Sequence, residues 1–263
     1  MPQTVYSSAR KDLSAPQERN RTWWEALPMT YKEWDADDRT TSGDTVVSAF
    51  LDGNPWLSPN YFLQFAGKSV LDIGCGAGPA GILFARGGAR VTAIDLTYKA
   101  VELTRKHTEG LGVAVERMDA EELTFPDKTF DHVFSWGVLH HSAQPERAFA
   151  QVARVLKPGG TGLIMVYNRA SLRYWLKGLM WLLLRGRIFS GETLSTVQYH
   201  FTDGFYHRHY TAAELVKALA PLRVTAISVT HMKKKMIPMI PVSLDERLKR
   251  RFGWLLIAEF VRD

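Results

Sequence analysis

The sequence predicts an α/β fold in which a mostly parallel sheet carries helices on both faces. Residues 70–73, Val-Leu-Asp-Ile, form a short apolar run followed by three alternating glycines, Gly74, Gly76 and Gly78. After a helix-like stretch, residues 91–95 form a second β-branched run that ends in an acid. Strand, glycine turn, helix, strand and acid in this order make one half of a nucleotide-binding α/β sheet.

Apolar periodicity and turn residues predict the other elements in chain order. Pro158 is expected to stop the third helix, and the glycine pair after it to supply the turn into the next strand. Thr211 and Glu214 have the spacing of a capping box, which predicts the start of the fourth helix. Strands are expected at 70–73, 91–95, 113–118, 130–135, 161–167, 224–230 and 254–261, and helices at 78–87, 97–110, 145–156 and 212–219.

The chain divides into an N-terminal cover and one larger domain. Residues 1–66 begin as a polar arm and continue as an aromatic-rich stretch without strand alternation, which predicts helices and loops over the open edge of the sheet. Residues 67–263 form the α/β domain, which is long enough for a full core. Within it, an insertion at about 170–210 replaces a short link after the fifth strand.

Two kinds of ligand could use the glycine turn. Residues 76–81 read Gly-Ala-Gly-Pro-Ala-Gly, a spacing shared with NAD and FAD sites. Asp72, however, lies two residues before Gly74, where its carboxylate would repel a pyrophosphate and attract a cation or an ammonium group. Asp95 at the tip of the second strand can accept hydrogen bonds from two ribose hydroxyls. The pattern therefore argues against a dinucleotide.

The pattern Asp-x-Gly-x-Gly-x-Gly, with an acid at the end of the next strand, resembles motif I of the class I S-adenosylmethionine-dependent methyltransferases. Residues 117–131, 130–141 and 148–160 are similar to later segments of this family, in the same order. Together they most resemble the branch that holds the ubiquinone and menaquinone biosynthesis methyltransferases, the methyltransferase type 11 domain. The resemblance implies a Rossmann-like, seven-stranded, mostly parallel sheet with an antiparallel last strand.

The resemblance also implies S-adenosylmethionine as the cofactor and S-adenosylhomocysteine as its product. In this family an acid after the third strand accepts a hydrogen bond from the adenine amine, and by position that acid is Asp119. The residues implied in cofactor binding are Asp72, Gly74, Cys75, Gly76, Gly78, Asp95, Leu96, Asp119, Ala120, Ser135 and Trp136.

Histidines supply the candidate bases. His141, and second to it His140, follow the fourth strand, where the loop borders the methyl donor, and histidine suits proton removal near neutral pH. The alternative is that one of them caps the next helix or pairs with backbone. Candidate substrate-binding residues in the cover and the insertion are Tyr31, Trp34, Tyr206, His207, Arg208, His209 and Tyr210. For the two tyrosines at 206 and 210, a packing role is weighed equally.

No metal site is predicted. His200, His207 and His209 are close in sequence, but they do not form a helical i, i+4 pair and no cysteine or acid cluster accompanies them.

Residues 172–187 mix large apolar side chains with Arg and Lys and allow two interpretations. A lid helix would pack its apolar face on the core and leave its basic residues in water. An interfacial helix would hold a hydrophobic acceptor or lie peripherally on an anionic membrane. The lid is favoured, and the two roles are compatible. The run is too short and too charged to span a bilayer, which needs about 20 apolar residues.

Other functions remain as alternatives. A net charge of +6 allows an RNA partner, tRNA included, but the loop after the fourth strand reads Ser135-Trp-Gly-Val. Methyltransferases acting on base amines usually carry an Asn/Asp-Pro-Pro-aromatic motif there, so nucleic acid is not the favoured partner. A third alternative is a non-catalytic protein that binds S-adenosylmethionine. The single cysteine, Cys75, and an N-terminus without an apolar signal core predict a cytoplasmic location.

The sequence thus predicts an enzyme that transfers a methyl group from S-adenosylmethionine to a small hydrophobic or aromatic acceptor, as in lipid or secondary metabolism. Whether oxygen, carbon or nitrogen is methylated, and in what oligomeric state, is left open.

Overall fold

The computed structural model describes residues 18, 21–22, 24–25, 41–184, 186–194, 197, 207–232, 236–237 and 239–263. Three of the predicted site residues, Tyr31, Trp34 and Tyr206, lie outside the described residues, as does His200.

Helices and strands alternate through the described chain. The helices are α1 (Gly43–Gly53), α2 (Asn60–Leu63), α3 (Pro79–Arg86), α4 (Tyr98–His107), α5 (Pro145–Val155), α6 (Leu172–Leu179), α7 (Ala212–Ala218) and α8 (Val242–Phe252). The strands are β1 (Ser69–Ile73), β2 (Arg90–Asp95), β3 (Ala114–Arg117), β4 (Phe130–Trp136), β5 (Leu156–Asn168), β6 (His209–Tyr210), β7 (Arg223–Thr230) and β8 (Leu255–Val261). Short 3-10 turns cover Leu139–His141 and Arg187–Ser190, and a π-helical turn, Met180–Leu184, continues α6.

The strands form one sheet in the order β3-β2-β1-β4-β5-β8-β7. Neighbours from β3 to β5 are parallel, and β8 is antiparallel to both β5 and β7. This confirms the predicted seven-stranded sheet with an antiparallel last strand. A two-residue strand, β6, was not predicted and pairs in parallel with the end of β5 at Tyr167 and Asn168.

Alternate residues of β1 enter separate cores on the two faces of the sheet. Leu71 and Ile73 belong to one apolar cluster, and Val70 belongs to another that includes Phe84 of α3. Because side chains alternate along a strand, Asp72 shares the face of Val70. A strand covered on both faces is expected to be apolar throughout, so this buried carboxylate stands out.

The helix boundary at Pro158 differs from the prediction. Helix α5 already ends at Val155, and β5 begins at Leu156, so Pro158 lies inside the strand. The β4–β5 pairing shifts register between Phe130 and His132, and a proline is tolerated at such an irregularity. The capping box at Thr211 is confirmed as the start of α7.

Residues 247–251 read Arg-Leu-Lys-Arg-Arg and belong to α8, a helix that was not predicted. Its residue Asp245 is buried and accepts from the backbone N–H of Met236 at 3.1 Å and of Ile237 at 2.8 Å. Lys249 pairs with Asp245 at 3.2 Å. These bonds tie the helix to the chain after β7.

Of the helices that the structure describes, none is both long and apolar enough to cross a bilayer.

Candidate active site

A cleft opens at the carboxyl ends of the parallel strands, the edge where ligands bind in open α/β sheets. It encloses about 1380 Å³, counting its open mouth. His141 lines this cleft together with most of the residues expected at the cofactor. Those residues are Asp72, Gly74, Cys75, Gly76, Asp95, Leu96, Asp119, Ala120 and Trp136.

The loop after β1 packs closely against the loop after β4. Gly74 has φ +77°, and a Cβ at this position would lie 2.2 Å from Cγ2 of Val138. Only glycine combines this backbone conformation with so close an approach. The turn then directs the backbone N–H of Gly76 to Oδ2 of Asp95, at 3.2 Å.

Asp72 presents a buried carboxylate to the cleft. Its Oδ2 has no hydrogen-bond partner in the described structure. Burial raises the pKa of Asp72 to about 7, the Asp95 charge adds to this shift, and a hydrogen bond from the Gly81 backbone opposes it. An unpaired buried carboxylate of this kind is stabilised by a cation or an ammonium group.

Asp95 is tied to its own loop. Its Oδ1 accepts from the backbone N–H and the hydroxyl of Thr97, both at 2.9 Å, and its Oδ2 accepts from Gly76. Burial raises the pKa of Asp95, and the bonds from Thr97 oppose the shift. A carboxylate offers about four acceptor positions. The three bonds leave one acceptor position free. Two ribose hydroxyls would therefore take that position and replace one of the existing bonds.

Asp119 and Ala120 follow β3 and form another part of the wall. Oδ1 of Asp119 accepts from the backbone N–H of Glu121 at 2.9 Å, which orients the buried carboxyl group. Met118 and Leu96 line the cleft beside them. The combination of one acid and apolar neighbours suits a flat ring that carries an amine.

Ser135, Gly78 and Cys75, which were also implied at the cofactor, make contacts within the fold. Ser135 is buried and donates to the carbonyl of Ile73 at 3.1 Å, and Gly78 caps the start of α3. Neither is among the residues that line the cleft. Cys75 does line it, but Thr104 donates to its sulfur at 3.3 Å, and burial raises the pKa of the thiol.

Trp136 is held by a residue that sequence reasoning missed. Its Nε1 donates to Oδ1 of Asn54 at 2.9 Å, and Nδ2 of Asn54 donates to the carbonyl of Phe50 at 2.8 Å. Asn54 and Phe50 also line the cleft. No sequence signal identifies this pair, because its members are 82 residues apart.

The other end of the cleft is aromatic and apolar. Tyr167, Met165 and Met232 line it beside His141, whose ring centroid lies 5.5 Å from that of Tyr167. Tyr167 was missed, although it is the last residue of a predicted strand and so falls at the edge where ligands bind.

Trp24 brings the described part of the N-terminal segment over this end of the cleft. Its ring meets that of His141 edge-on at 5.2 Å. The next residue, Glu25, accepts from the backbone N–H groups of Tyr98 and Lys99 at the start of α4, at 3.2 and 3.1 Å. The N-terminal segment is therefore anchored beside Asp95.

His140, His207 and His209 are buried behind His141 and do not line the cleft. The ring centroids of His140 and His141 are 4.1 Å apart, and those of His141 and His207 are 6.0 Å apart. Burial lowers the pKa of His140 and His209, and the neighbouring histidines lower it further, so both are neutral. His140 could act on an acceptor only through His141. The rings of His207 and His209 pack around Tyr167, and their contact with an acceptor stays a prediction.

Arg208 and Tyr210 are also not among the residues that line the cleft, and their role in substrate binding stays a prediction. Arg208 is exposed and forms an ion pair with Glu146. Tyr210 is fully buried and packs edge-on against Phe149 at 5.9 Å. For Tyr210 the packing alternative is the one the structure shows.

Among the described residues, no group of three or more His, Cys, Asp or Glu side chains is arranged to hold a metal ion.

Part of this chain is similar to known proteins. Residues 71–164 match the family described as a methyltransferase domain. Over 114 residues the chain is 33% identical to the ubiquinone biosynthesis O-methyltransferase of Coxiella burnetii, a region that covers 43% of this chain and 49% of that protein. The chain thus spans about half the length of the curated relatives it matches.

Two solved structures share the fold. A chain of the Haloferax volcanii complex between the Trm112 methyltransferase activator and a methyltransferase superimposes with a TM-score of 0.60 at 21% identity, covering 83% of this chain and 94% of that one. An S-adenosylmethionine-dependent methyltransferase from Mesorhizobium loti superimposes with a TM-score of 0.56 at 21% identity, covering 87% of this chain and 100% of that one.

Proposed function

We propose that this chain, whose residues 71–164 match the methyltransferase domain family, transfers the methyl group of S-adenosylmethionine to a hydroxyl of a small hydrophobic acceptor. The observation that carries the proposal is the continuity of the cleft. One space is lined by Asp72, Asp95 and Asp119 at one end and by His141 and Tyr167 at the other. Donor and acceptor could therefore occupy it together.

The acidic end fits S-adenosylmethionine better than a dinucleotide. The unpartnered Oδ2 of Asp72 would accept from the ammonium group of the donor. Asp95 would accept from the ribose, and Asp119 from the adenine amine. A pyrophosphate at the glycine turn would instead lie beside the carboxylate of Asp72, with like charges in a buried site.

S-adenosylmethionine, when bound, supplies a methyl carbon that its sulfonium already activates. The protein then has to hold the acceptor oxygen in line with that carbon, and such alignment can contribute about 7–11 kcal/mol. Trp136 and Val138 line the same space. His141, which lines the cleft, would receive the hydroxyl proton.

The chemistry of the cleft favours a neutral acceptor. Its described lining contains no Lys or Arg that could pair with an acceptor carboxylate or an RNA phosphate. Methionine and aromatic side chains, Met165, Met232, Tyr167 and Trp24, favour a hydrophobic or aromatic body. A phenolic hydroxyl meets both requirements, and the curated relatives are named as O-methyltransferases.

Calorimetric titration with S-adenosylhomocysteine tests the donor assignment, with NADH and FAD titrated in parallel. Binding of S-adenosylhomocysteine alone is expected, and binding of either dinucleotide instead would overturn the proposal.

Labelled S-adenosylmethionine then tests the acceptor. An alkyl-substituted catechol should be methylated, and its carboxylated analogue should be methylated more slowly because the described lining of the cleft has no cationic side chain. Preferred methylation of tRNA would favour the alternative function.

A further inference from the structure

The segment that begins with α6 exposes many large apolar side chains. The most exposed are Phe189 and Leu184, at 91% and 81%. We call this set, together with Arg173, Lys177 and Arg187, the α6 surface. Its apolar members are Trp175, Leu176, Leu179, Met180, Leu183, Leu184, Ile188 and Phe189.

Only a narrow stripe of the segment packs on the body of the protein. Tyr174, Gly178 and Leu182 are buried and recur every fourth residue, which places them on one side of the helix. Tyr174 meets the ring of His209 at 4.8 Å. The lid interpretation accounts for this stripe, but it leaves the other apolar side chains in water, where soluble proteins seldom keep so large a patch.

The charges of the segment have one sign. From residue 172 to 190 the chain contains Arg173, Lys177, Arg185 and Arg187, and no Asp or Glu. Two copies of the surface would bring these charges together, which disfavours self-association. An anionic bilayer offers both an apolar interior for the large side chains and negative headgroups for the basic ones.

We propose that the α6 surface docks the protein on an anionic lipid bilayer. Trp175, Leu184 and Phe189 enter the boundary of the acyl chains, while the basic side chains stay at the headgroups. A single short amphipathic segment of this kind gives reversible, peripheral attachment.

Side-chain contacts connect this surface to the cleft. The guanidinium of Arg173 lies 4.8 Å from the ring centroid of Trp254, whose ring lies 4.4 Å from that of Tyr167. Tyr167 lines the hydrophobic end of the cleft. A docked protein therefore holds that end of its cleft close to the membrane, where hydrophobic molecules concentrate.

Vesicle sedimentation tests the docking without reference to catalysis. The full chain should sediment with vesicles of equimolar phosphatidylcholine and phosphatidylglycerol, and much less with phosphatidylcholine alone. Binding should fall as salt is raised, because headgroup attraction is screened. No binding to the anionic vesicles would overturn the proposal.

Two variant pairs separate the apolar and the ionic contributions. Leu184→Glu with Phe189→Glu should weaken vesicle binding at least about tenfold, because two large apolar side chains are lost from the lipid. Lys177→Gln with Arg187→Gln should weaken it about fivefold per charge on anionic vesicles. Val216→Glu, a change at an exposed apolar residue of α7, is the matched control and should bind like the unchanged protein.

Binding of S-adenosylhomocysteine checks that each variant remains folded. If the Glu variants bound vesicles as well as the unchanged protein, the docking surface would lie elsewhere. If size-exclusion chromatography showed a dimer that these substitutions dissociate, and vesicles were not bound, the surface would cover a second copy and the proposal would be wrong. Failure of methyl transfer with intact vesicle binding would count against the proposed function alone.

Discussion

Replacing Asp72 by Asn should change cofactor affinity, its pH dependence and the stability of the free protein in a linked way. Burial raises the pKa of Asp72 to about 7, against 3.8 for an ordinary aspartate. To pair with the ammonium group of S-adenosylhomocysteine, the carboxyl must be ionised. Below its pKa the ligand therefore has to displace a proton before the pair can form.

The size of this effect follows from the shift. A pH of about 5 is ~2 units below the pKa of Asp72, and each unit costs about 1.4 kcal/mol of binding free energy. The affinity for S-adenosylhomocysteine should therefore be about 100-fold weaker than at about pH 8. Calorimetric titrations across this range measure it. The Asp72→Asn variant should bind weakly at every pH, and any residual pH dependence would then belong to Asp95, whose pKa burial also raises.

The same shift predicts the opposite effect on stability. The folded protein holds the proton of Asp72 more tightly than the unfolded chain does, so free-protein stability falls as pH rises from about 4 to about 7. At about pH 8 the buried charge costs up to ~4 kcal/mol. Asp72→Asn should therefore raise the melting temperature of the free protein at pH 8 while it abolishes tight binding. A pH-independent affinity, or a variant that both binds and melts like the unchanged protein, would refute the reasoning.

Three further substitutions test the rest of the site. Asp95→Ala should weaken S-adenosylhomocysteine binding about tenfold or more in calorimetry while the protein stays folded, because charge-assisted bonds are lost; unchanged affinity would remove Asp95 from the donor site. His141→Ala should lower kcat about 10²–10⁴-fold with donor affinity largely kept, and unaffected turnover with the true acceptor would exclude His141 as the base. Gly74→Ala should lower the free energy of unfolding by more than the ~1–2 kcal/mol of backbone strain, because its Cβ would also meet Val138 at 2.2 Å. Gly159→Ala is the control in thermal denaturation, since Gly159 also has a positive φ of +74° but a Cβ added there would have no atom within 4 Å. Equal losses of stability at the two positions would show that the contact with Val138 has no effect.

The proposed acceptor and the proposed docking surface are consistent with each other but do not depend on each other. The cleft favours a neutral, hydrophobic hydroxyl compound because its described lining lacks cationic side chains. The α6 surface favours a bilayer because its exposed residues are apolar and basic. A protein with both properties could take a lipid-soluble acceptor directly from the membrane.

Most of the sheet could be predicted because its information is local. A strand covered on both faces is a short apolar run between turn residues, and residues 70–73 and 91–95 have that form. Asp72 interrupts such a run, which marks it as a site residue from sequence alone. The prediction failed at two irregular places. Pro158 lies inside a strand where the register shifts, and β6 is too short to leave a sequence pattern.

The acceptor end of the cleft could not be predicted in the same way. His140 and His141 are neighbours in a 3-10 turn, where successive side chains point about 120° apart, so one lines the cleft and the other does not. Asn54 and Met232 reach the same cleft from distant parts of the chain. Their separation in sequence leaves no periodic signal.

By itself the sequence determined the α/β sheet, the glycine turn and the acids that follow the strands, because strand burial and turn geometry act between near neighbours. Tertiary structure decided which histidine lines the cleft, that Arg208 and Tyr210 are not among its lining residues, and that the apolar side of the α6 segment remains exposed. Those outcomes depend on which distant elements pack together, and no local pattern of residues encodes that packing.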